Sequence, residues 1–223
     1  MTTERRAVLA DAAIQVLAEE GMRGLTHRAV DRAADLPPGT TSAYFRTRQA
    51  LLTALVRRLV AHDQAELQEA GERAPVPRDA GELTDGLAGF VERRLTGEGR
   101  QRSLARYACA VESVRHLELR EILLPRENAA RDAVRAFLRA QGVADAEGRT
   151  LTLLACVDGL VFDRLVGGGG VPREEISGLV AAALRGSGPG EGPDSGSGGG
   201  CDSGSGGGVT PSLRDDARPR HAG

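Results

Sequence analysis

The sequence contains 223 residues with a formal net charge of −2 at pH 7, and this length allows one large domain or two small ones. It has no apolar run of about 18 residues and no signal-peptide pattern at its amino end, so we expect a cytoplasmic protein with no membrane partner. Its three cysteines, Cys109, Cys156 and Cys201, show no metal-binding or redox spacing, which indicates a reducing compartment with Cys109 and Cys156 as small core residues.

The charge is unevenly distributed along the chain. Residues 1–60 contain nine Arg against six Asp and Glu, a net charge of +3, so the remaining residues carry −5. Within residues 23–58 there are seven Arg and two Asp. A basic amino-terminal module on an acidic body is typical of a DNA-binding domain that is joined to a separate ligand or partner domain.

The first predicted helix runs from about Glu4 to Glu20, and Gly21 is expected to end it. Arg5 and Arg6 at its start are either a basic arm that reaches DNA or solvated terminal charges. The face that we expect to be buried carries apolar side chains at helical spacing, namely Leu9, Ala13, Val16 and Leu17.

Two short helices joined by a turn are predicted next, an arrangement typical of a helix-turn-helix DNA reader. The first spans Leu25 to Ala34, and Thr26 is its expected N-cap. Asp35 and Leu36 form the turn, because Asp tolerates the left-handed backbone better than most residues. The apolar face of this helix consists of Leu25, Ala29, Val30 and Ala33.

Pro38 is expected to begin the second helix, because its restricted φ suits the first helical position, and the helix continues to about Phe45, a core residue. Arg46, Thr47 and Arg48 follow at the start of another helix, where positive charge and free amides both attract phosphate. The side chains expected to be exposed on the second helix are small or hydroxylic, namely Thr40, Thr41, Ser42 and Tyr44.

DNA binding needs phosphate contacts for affinity and base contacts for specificity. We expect base contacts from Thr40 and Thr41, whose hydroxyl and methyl groups can meet base edges, while Gly39 allows close backbone approach. Phosphate contacts are expected from Thr26, Arg28, Tyr44, Arg46 and Arg48; for Arg46 and Arg48 the alternative is a solvated charged turn. The full predicted DNA-binding set is Thr26, Arg28, Pro38, Gly39, Thr40, Thr41, Ser42, Tyr44, Arg46 and Arg48.

The body of the chain is predicted to be all-α, because no period-2 run or hairpin turn occurs in it. A long helix from Arg48 to about Glu69 leads into it, followed by a Pro/Gly connector at residues 71–81. The long helix has its apolar side at Leu51, Leu52, Leu55 and Leu59. The apolar helix faces expected in the body carry Leu83, Leu87, Phe90, Val91 and Leu95; Leu104, Tyr107, Ala108, Val111 and Val114; Leu117 to Leu124; and Ala130, Val134, Phe137 and Leu138.

The segment from Leu151 to Val166 is apolar on nearly every side, and a helix from about Arg173 to Leu184 follows it. A helix that is apolar all round must be covered all round. A second subunit could cover the part that a single small domain leaves open; the alternative is a core formed within one chain.

A small-molecule pocket is predicted among the body helices, mostly apolar with a few polar groups. Each candidate residue could instead belong to the ordinary core. A charged residue such as Arg94 or His116 in the pocket would indicate an anionic ligand. The candidates are Phe90, Arg94, Tyr107, Val111, His116, Phe137, Leu153 and Val157.

At its amino-terminal motif the chain resembles the TetR (tetracycline-repressor) family of bacterial regulators. The similarity covers the Ala-rich first helix that ends at Glu19-Glu20-Gly21, the segment from Leu25 to Val30, and the segment from Pro38 to Leu52. The sequence departs from the family pattern at Asp35, Pro37-Pro38, Ser42 and Arg48, and these departures concern individual base contacts rather than the motif.

The resemblance implies an all-α fold with a three-helix helix-turn-helix DNA-binding domain at residues 1–47 and a helical ligand-binding and dimerisation domain at 48–185. It also implies that the last two helices pair with their symmetry mates in a four-helix bundle. The interface residues expected from this are Leu154, Val161, Leu165, Ile176, Leu179, Val180 and Ala183.

The function implied by the resemblance is a homodimeric regulator that binds a near-palindromic double-stranded DNA operator, as a repressor released by a small-molecule effector; activation is the open alternative. An enzyme is disfavoured, because no GxSxG, P-loop or dinucleotide pattern occurs and Glu112 and His116 lack the Glu-x-x-His spacing of di-metal bundles. We expect no cofactor and no metal. A helical protein-binding adaptor would not need the basic helix start at Arg46 to Arg48.

Residues 186–223 are rich in Gly, Ser and Pro, and DSGSGGG occurs at 194–200 and again at 202–208. Such a segment buries too little apolar surface to offset its ordering entropy. We predict that it is disordered and assign it no function.

Overall fold

The computed structural model describes residues 2–73, 76–123 and 129–185, and every regular element within these ranges is an α-helix. The all-α prediction is therefore confirmed for the described part of the chain. The helices are α1 (Thr2–Gly24), α2 (His27–Ala33), α3 (Thr40–Tyr44), α4 (Arg48–Arg73), α5 (Ala80–Leu95), α6 (Gly97–Ser113), α7 (Leu117–Leu123), α8 (Ala129–Ala140), α9 (Ala146–Gly167) and α10 (Arg173–Leu184).

Local sequence signals place several helix ends correctly. The Thr26 hydroxyl caps α2 by accepting a hydrogen bond from the Ala29 amide at 3.2 Å. Asp35 adopts the predicted left-handed backbone, with φ of 51°. Gly21 also breaks the helical backbone of α1 as expected, with φ of 70°, and one more turn continues to Gly24.

The second helix of the motif begins later than predicted. α3 starts at Thr40, whose amide donates to the Pro37 carbonyl at 3.2 Å and closes a turn over Pro38 and Gly39. Gly39 has φ of 92° and ψ of −8°, as required at the third position of a type II turn with Pro second. The Pro-Gly pair forms this turn instead of the first helical turn, so the prediction for Pro38 was wrong.

Two hydrophobic cores stabilise the described residues. The first joins α1, α2, the first half of α4 and parts of α6 and α7, and the second joins α5, α8, α9 and α10. The predicted division after residue 47 stays a prediction; the first core extends past it into α4. The predicted apolar faces of α1 and α4 are buried in the first core, namely Leu9, Ala13, Val16, Leu17, Leu51, Leu52, Leu55 and Leu59.

Some side chains lie on the opposite side from that expected. Thr41 is fully buried, because it hydrogen-bonds to a buried side chain of α2. Ala33, in the last turn of α2, is exposed. Val111 and Val114 are exposed where α6 ends at Ser113, and Cys156 is exposed on the outer side of α9.

The predicted interface residues of α9 and α10 face inward for the most part. Val161, Leu165, Ile176, Val180 and Ala183 are buried in the second core of the same chain, so their assignment to a subunit interface was wrong. A helix that is apolar all round does not reveal which side its own chain covers. The remaining two predicted residues, Leu154 and Leu179, are half-buried beside that core.

The outer side of α9 carries apolar side chains as well. Phe162 is 51% exposed and Val166 is 75% exposed. Leu151 and Ala155 continue the same side towards the start of the helix. The all-round apolar character of α9 thus divides into a side covered by its own chain and a side that its own chain leaves open.

No helix among the described residues is both long and apolar enough to cross a membrane. In the same residues no group of three or more His, Cys, Asp and Glu side chains is placed to hold a metal ion. The predicted disordered segment, residues 186–223, and Cys201 lie outside the described residues.

Candidate nucleic-acid interface and ligand cavity

α3 is held to α2 at its start by a buried carboxylate. Asp31 of α2 accepts hydrogen bonds from the Gly39 amide at 2.8 Å, the Thr41 amide at 2.7 Å and the Thr41 hydroxyl at 2.6 Å. Burial by itself raises the pKa of Asp31, but the hydrogen bonds from Thr41 and Gly39 outweigh it and hold the pKa below its ordinary value. The carboxylate is therefore charged when it orients the first turn of α3.

The end of α3 is held by a second side chain of α2. His27 Nε2 donates a hydrogen bond to the carbonyl of Phe45 at 2.6 Å, and the Phe45 ring is buried in the first core. The Arg6 guanidinium lies over that ring, 4.7 Å from its centroid. A helix of five residues is too short to be stable by itself, so these contacts determine where α3 lies.

The start of α4 is fixed by two further hydrogen bonds. The Thr47 hydroxyl accepts from the Ala50 amide at 3.0 Å and acts as the N-cap, a role that the sequence analysis did not assign. The Arg48 guanidinium donates to the Met22 carbonyl at 2.5 Å, which links α4 to the end of α1. Arg46, directly before this cap, is exposed.

The predicted DNA-binding residues lie together around α3, with one exception. Thr41 is buried and its hydroxyl donates a hydrogen bond to Asp31, so this hydroxyl is not exposed to a base. The Thr40 hydroxyl donates to the Pro37 carbonyl at 2.6 Å, and its side chain is half-exposed. The other members are exposed or half-exposed, namely Thr26, Arg28, Pro38, Gly39, Ser42, Tyr44, Arg46 and Arg48.

A cavity of about 990 Å³ lies among α4, α5, α6, α8 and α9, a size at the upper end of small-molecule pockets. Four predicted pocket residues line it: Phe90, Arg94, Tyr107 and Val157. The other four do not. Val111 is exposed, His116 lies against Glu112 and Glu118, and Phe137 and Leu153 are buried in the core behind the cavity.

Charged side chains from three helices meet at one side of the cavity. Asp63 of α4 pairs with Arg94 of α5, with Oδ1 and Nη2 2.6 Å apart, and also with Arg106 of α6. Burial lowers the pKa of both arginines. Asp63 and Arg106 were not predicted as pocket residues, because nothing local in the sequence indicates that α4, α5 and α6 meet there.

Tyr107 and Asp158 form a second polar group in the cavity. The Tyr107 hydroxyl donates to the Asp158 carboxylate at 2.8 Å, and the ring packs edge-on against Phe162, with centroids 5.2 Å apart. Burial first, and then the hydrogen bond to Asp158, raise the pKa of Tyr107. The phenol is therefore a fixed hydrogen-bond donor between α6 and α9.

Comparisons with known proteins agree with this architecture. Residues 9–55 match the profile of bacterial regulatory proteins of the tetR family, and residues 78–186 match that of the tetracyclin repressor-like C-terminal domain. The HTH-type transcriptional regulator BetI of Rhizobium meliloti (strain 1021) is 28% identical over 198 residues, which cover 86% of this chain and 96% of BetI.

Solved structures show the same relationship. A TetR-family member from Streptomyces coelicolor A3 is 26% identical with a TM-score of 0.61, over 82% of this chain and 99% of the other. A transcriptional regulator from Rhodococcus sp. Rha1 is 26% identical with a TM-score of 0.63, over 80% of this chain and 93% of the other. The multidrug binding protein EbrR in complex with ethidium is 26% identical with a TM-score of 0.58, over 81% and 99%.

The two profiles cover different parts of the chain. The amino-terminal match spans α2 and α3, which are joined by the hydrogen bonds of Asp31 and His27. The carboxyl-terminal match spans most of the cavity wall. Members of the matched family are DNA-binding transcription factors, not enzymes, and ligand binding and dimer formation are typical of them. This chain belongs to the TetR family of transcriptional regulators.

Proposed function

We propose that this protein is a homodimeric, ligand-responsive repressor that binds a near-palindromic operator in double-stranded DNA. The observation that carries the proposal is the attachment of α3 to α2 at both ends, through Asp31 and His27. A recognition helix must be held rigidly if its side chains are to meet base edges in the major groove. Activation of transcription is the alternative sign of regulation.

Phosphate contacts in this proposal come from side chains that surround α3. Arg28 in the first turn of α2 and Arg46 directly before α4 are exposed cations on the elements that precede and follow α3 in the chain. Arg48 contributes both by its charge and by joining α4 to α1. The remaining proposed contacts to phosphates or bases come from Thr26, Pro38, Gly39, Thr40, Ser42 and Tyr44.

We assign the dimer interface to the outer side of α9. Its apolar residues Phe162 and Val166 are left open by the chain itself. On α10 the side opposite the core presents Gly178 and Ala181, which allow close approach of another helix. The proposed interface residues are Leu151, Ala155, Phe162, Val166, Gly178 and Ala181.

The effector in this proposal binds in the cavity and changes the position of α4. EbrR, a protein of the same fold, is a multidrug binding protein seen in complex with ethidium. α4 begins at the DNA-binding residues and carries Asp63 into the cavity wall. A ligand that binds two positions of α4 unequally shifts the population of the DNA-binding shape. We expect the protein to act in the cytoplasm, where chromosomal DNA is accessible.

The proposal is tested by selecting bound fragments from genomic DNA with the purified full-length chain at low salt. We expect enrichment of a short inverted repeat whose half-sites are roughly one helical turn, about 34 Å, or somewhat more apart. Sedimentation of the protein with and without this fragment gives the stoichiometry. A monomer in solution, or the absence of any enriched fragment, contradicts the proposal.

A further inference from the structure

We propose that the cavity binds an apolar molecule with one carboxylate, and that this carboxylate replaces Asp63 between Arg94 and Arg106. The inference rests on the proposed function, because it names the class of effector that would release the DNA. Asp63, Arg94 and Arg106 have side chains that are only 13%, 11% and 23% exposed. They therefore form a largely buried ion-pair cluster at the cavity wall.

The cluster leaves one guanidinium N–H without an acceptor. Two guanidinium groups share the single carboxylate of Asp63. Arg94 Nε is buried and makes no hydrogen bond within the described part of the chain, and the Phe90 ring lies 4.8 Å from its guanidinium carbon. A buried N–H of a charged group without an acceptor is costly, so a ligand carboxylate that takes the place of Asp63 and also reaches Arg94 Nε gains a hydrogen bond that Asp63 does not make.

The other carboxylates around the cavity already have partners. Glu82 pairs with Arg78 in α5's first turn, and Asp85 pairs with Arg173 of α10. Asp158 accepts the hydroxyl of Tyr107. These partners leave Arg94 Nε as a donor without an acceptor among the described residues, and a donor favours an anion over a cation. Because the negative charge of Asp158 also acts on Arg94 and Arg106, a carboxylate that takes the place of Asp63 keeps the charge of the cluster balanced.

Most of the remaining cavity wall is apolar and determines the body of the ligand. Its inner surface is formed by aliphatic side chains from α5, α8 and α9, with Phe90 beside Arg94. Burial of an apolar body against these side chains supplies affinity, and the carboxylate supplies orientation. The aliphatic members are Leu83, Leu87, Val134, Leu154, Val157 and Val161.

Exchange at Asp63 would act directly on α4. Arg58 and His62, which precede Asp63 in the same helix, both bond to Asp11 of α1, with Arg58 Nε at 2.7 Å and His62 Nε2 at 2.7 Å. α4 is thus attached to α1 on one side and to α5 and α6 on the other. A ligand carboxylate that takes the place of Asp63 removes this polar link to α5 and leaves the Glu66–Arg102 ion pair as a link to α6, so α4 is held less tightly and can shift together with α1.

The experiment is calorimetric titration of the full-length protein with matched probes. Decanoate is compared with 1-decanol and decylamine, and 1-naphthylacetate with the alcohol and amine of the same skeleton. We expect at least one carboxylate to bind about tenfold tighter than its neutral and cationic partners. Equal binding within both sets, preference for the amine, or no binding of either carboxylate overturns the inference.

Two substitutions make the test specific to the cluster. Arg94→Met should weaken carboxylate binding by about tenfold or more, because it removes a charge-assisted hydrogen bond. Arg100→Met removes the same charge from an exposed position of α6 and should leave binding unchanged. Equal effects of the two substitutions contradict the proposed contact.

Asp63→Asn should change the affinity for carboxylates in the opposite direction from Arg94→Met. Because Asp63 competes with the ligand for Arg94 and Arg106, its neutralisation should tighten carboxylate binding by about tenfold, whereas a cation that pairs with Asp63 would bind more weakly. Arg106→Met replaces this variant if circular dichroism shows that Asp63→Asn does not fold, and it should weaken binding as Arg94→Met does. Weaker carboxylate binding to folded Asp63→Asn, or unchanged binding to Arg106→Met, overturns the exchange.

Failure of this inference and failure of the proposed function have different signatures. If the protein selects genomic fragments but binds no carboxylate, the proposed ligand class is overturned and the proposed role as a regulator is not. Carboxylate binding without any selected fragment overturns the proposed regulation, on which the release of α4 depends.

Discussion

The carboxylate of Asp31 in α2 accepts hydrogen bonds from both the amide and the hydroxyl of Thr41 in α3, at 2.7 and 2.6 Å. A single buried side chain therefore orients the start of the short helix that carries the candidate base contacts. Thr41, which was predicted from the sequence to contact DNA, instead holds the exposed Ser42 and the half-buried Tyr44 in place. The recognition surface is thus built on a buried polar contact.

Replacement of Asp31 should test this role. Asp31→Asn removes the charged acceptor and should lower the free energy of unfolding by roughly 1.5–3 kcal/mol, with loss of DNA affinity, because α3 is no longer oriented. Urea unfolding and fluorescence anisotropy with a selected DNA fragment measure the two effects. Asp35→Asn is the matched control: residue 35 is exposed and Asn accepts its positive φ. Equal behaviour of the two variants would contradict the role of Asp31.

The same contact predicts a pH dependence of stability. The pKa of folded Asp31 lies below the ordinary carboxyl value of 3.8, since its hydrogen bonds outweigh the effect of burial. The stabilisation is therefore fully present above about pH 4 and is lost as the pH falls through the lower folded-state pKa. The difference in unfolding free energy between the wild type and Asp31→Asn should be larger at pH 6 than at pH 3. A constant difference between these two pH values would show that the charge of Asp31 is not involved.

Arg46 should contribute to DNA affinity without sequence preference. Arg46→Gln is expected to weaken binding to every fragment and to reduce the slope of log K against log salt by about one unit, because one phosphate contact is lost. Arg139→Gln removes an equivalent exposed charge from α8, away from α3, and should change neither quantity. Titrations of one selected and one unrelated fragment at several salt concentrations measure this. A loss confined to the selected fragment would point to a base contact instead.

The outer side of α9 should control the oligomeric state. Phe162→Arg places a charge on the proposed interface and should weaken the dimer by about 2 kcal/mol or more, roughly 30-fold in its dissociation constant. Sedimentation velocity over a range of concentrations measures the shift to monomer, and circular dichroism checks the helical content. Val114→Arg, at a more exposed apolar position after α6, is the control. A dimer that survives Phe162→Arg unchanged would place the interface elsewhere.

Much of the helical layout was predictable because its causes are local. The cap at Thr26, the left-handed Asp35 and the bounds of α10 depend on neighbouring residues and on apolar spacing, and each matches the prediction. The predicted start of α3 was wrong, although the features that determine it are also local. The pair Pro38-Gly39 is compatible with both a helix start and a type II turn, and the spacing of apolar residues does not distinguish the two.

By itself, the sequence determined the helical class, the helix-turn-helix motif and the existence of an apolar last pair of helices, since periodicity and capping act within a few residues. Only the tertiary structure decided that Thr41 faces Asp31, that α9 turns Val161 inward and Phe162 outward, and that Asp63 meets Arg94 and Arg106. The physical reason is distance along the chain. Which side of a helix is covered, and which charges meet, depends on helices that are remote in sequence and approach only when the cores form.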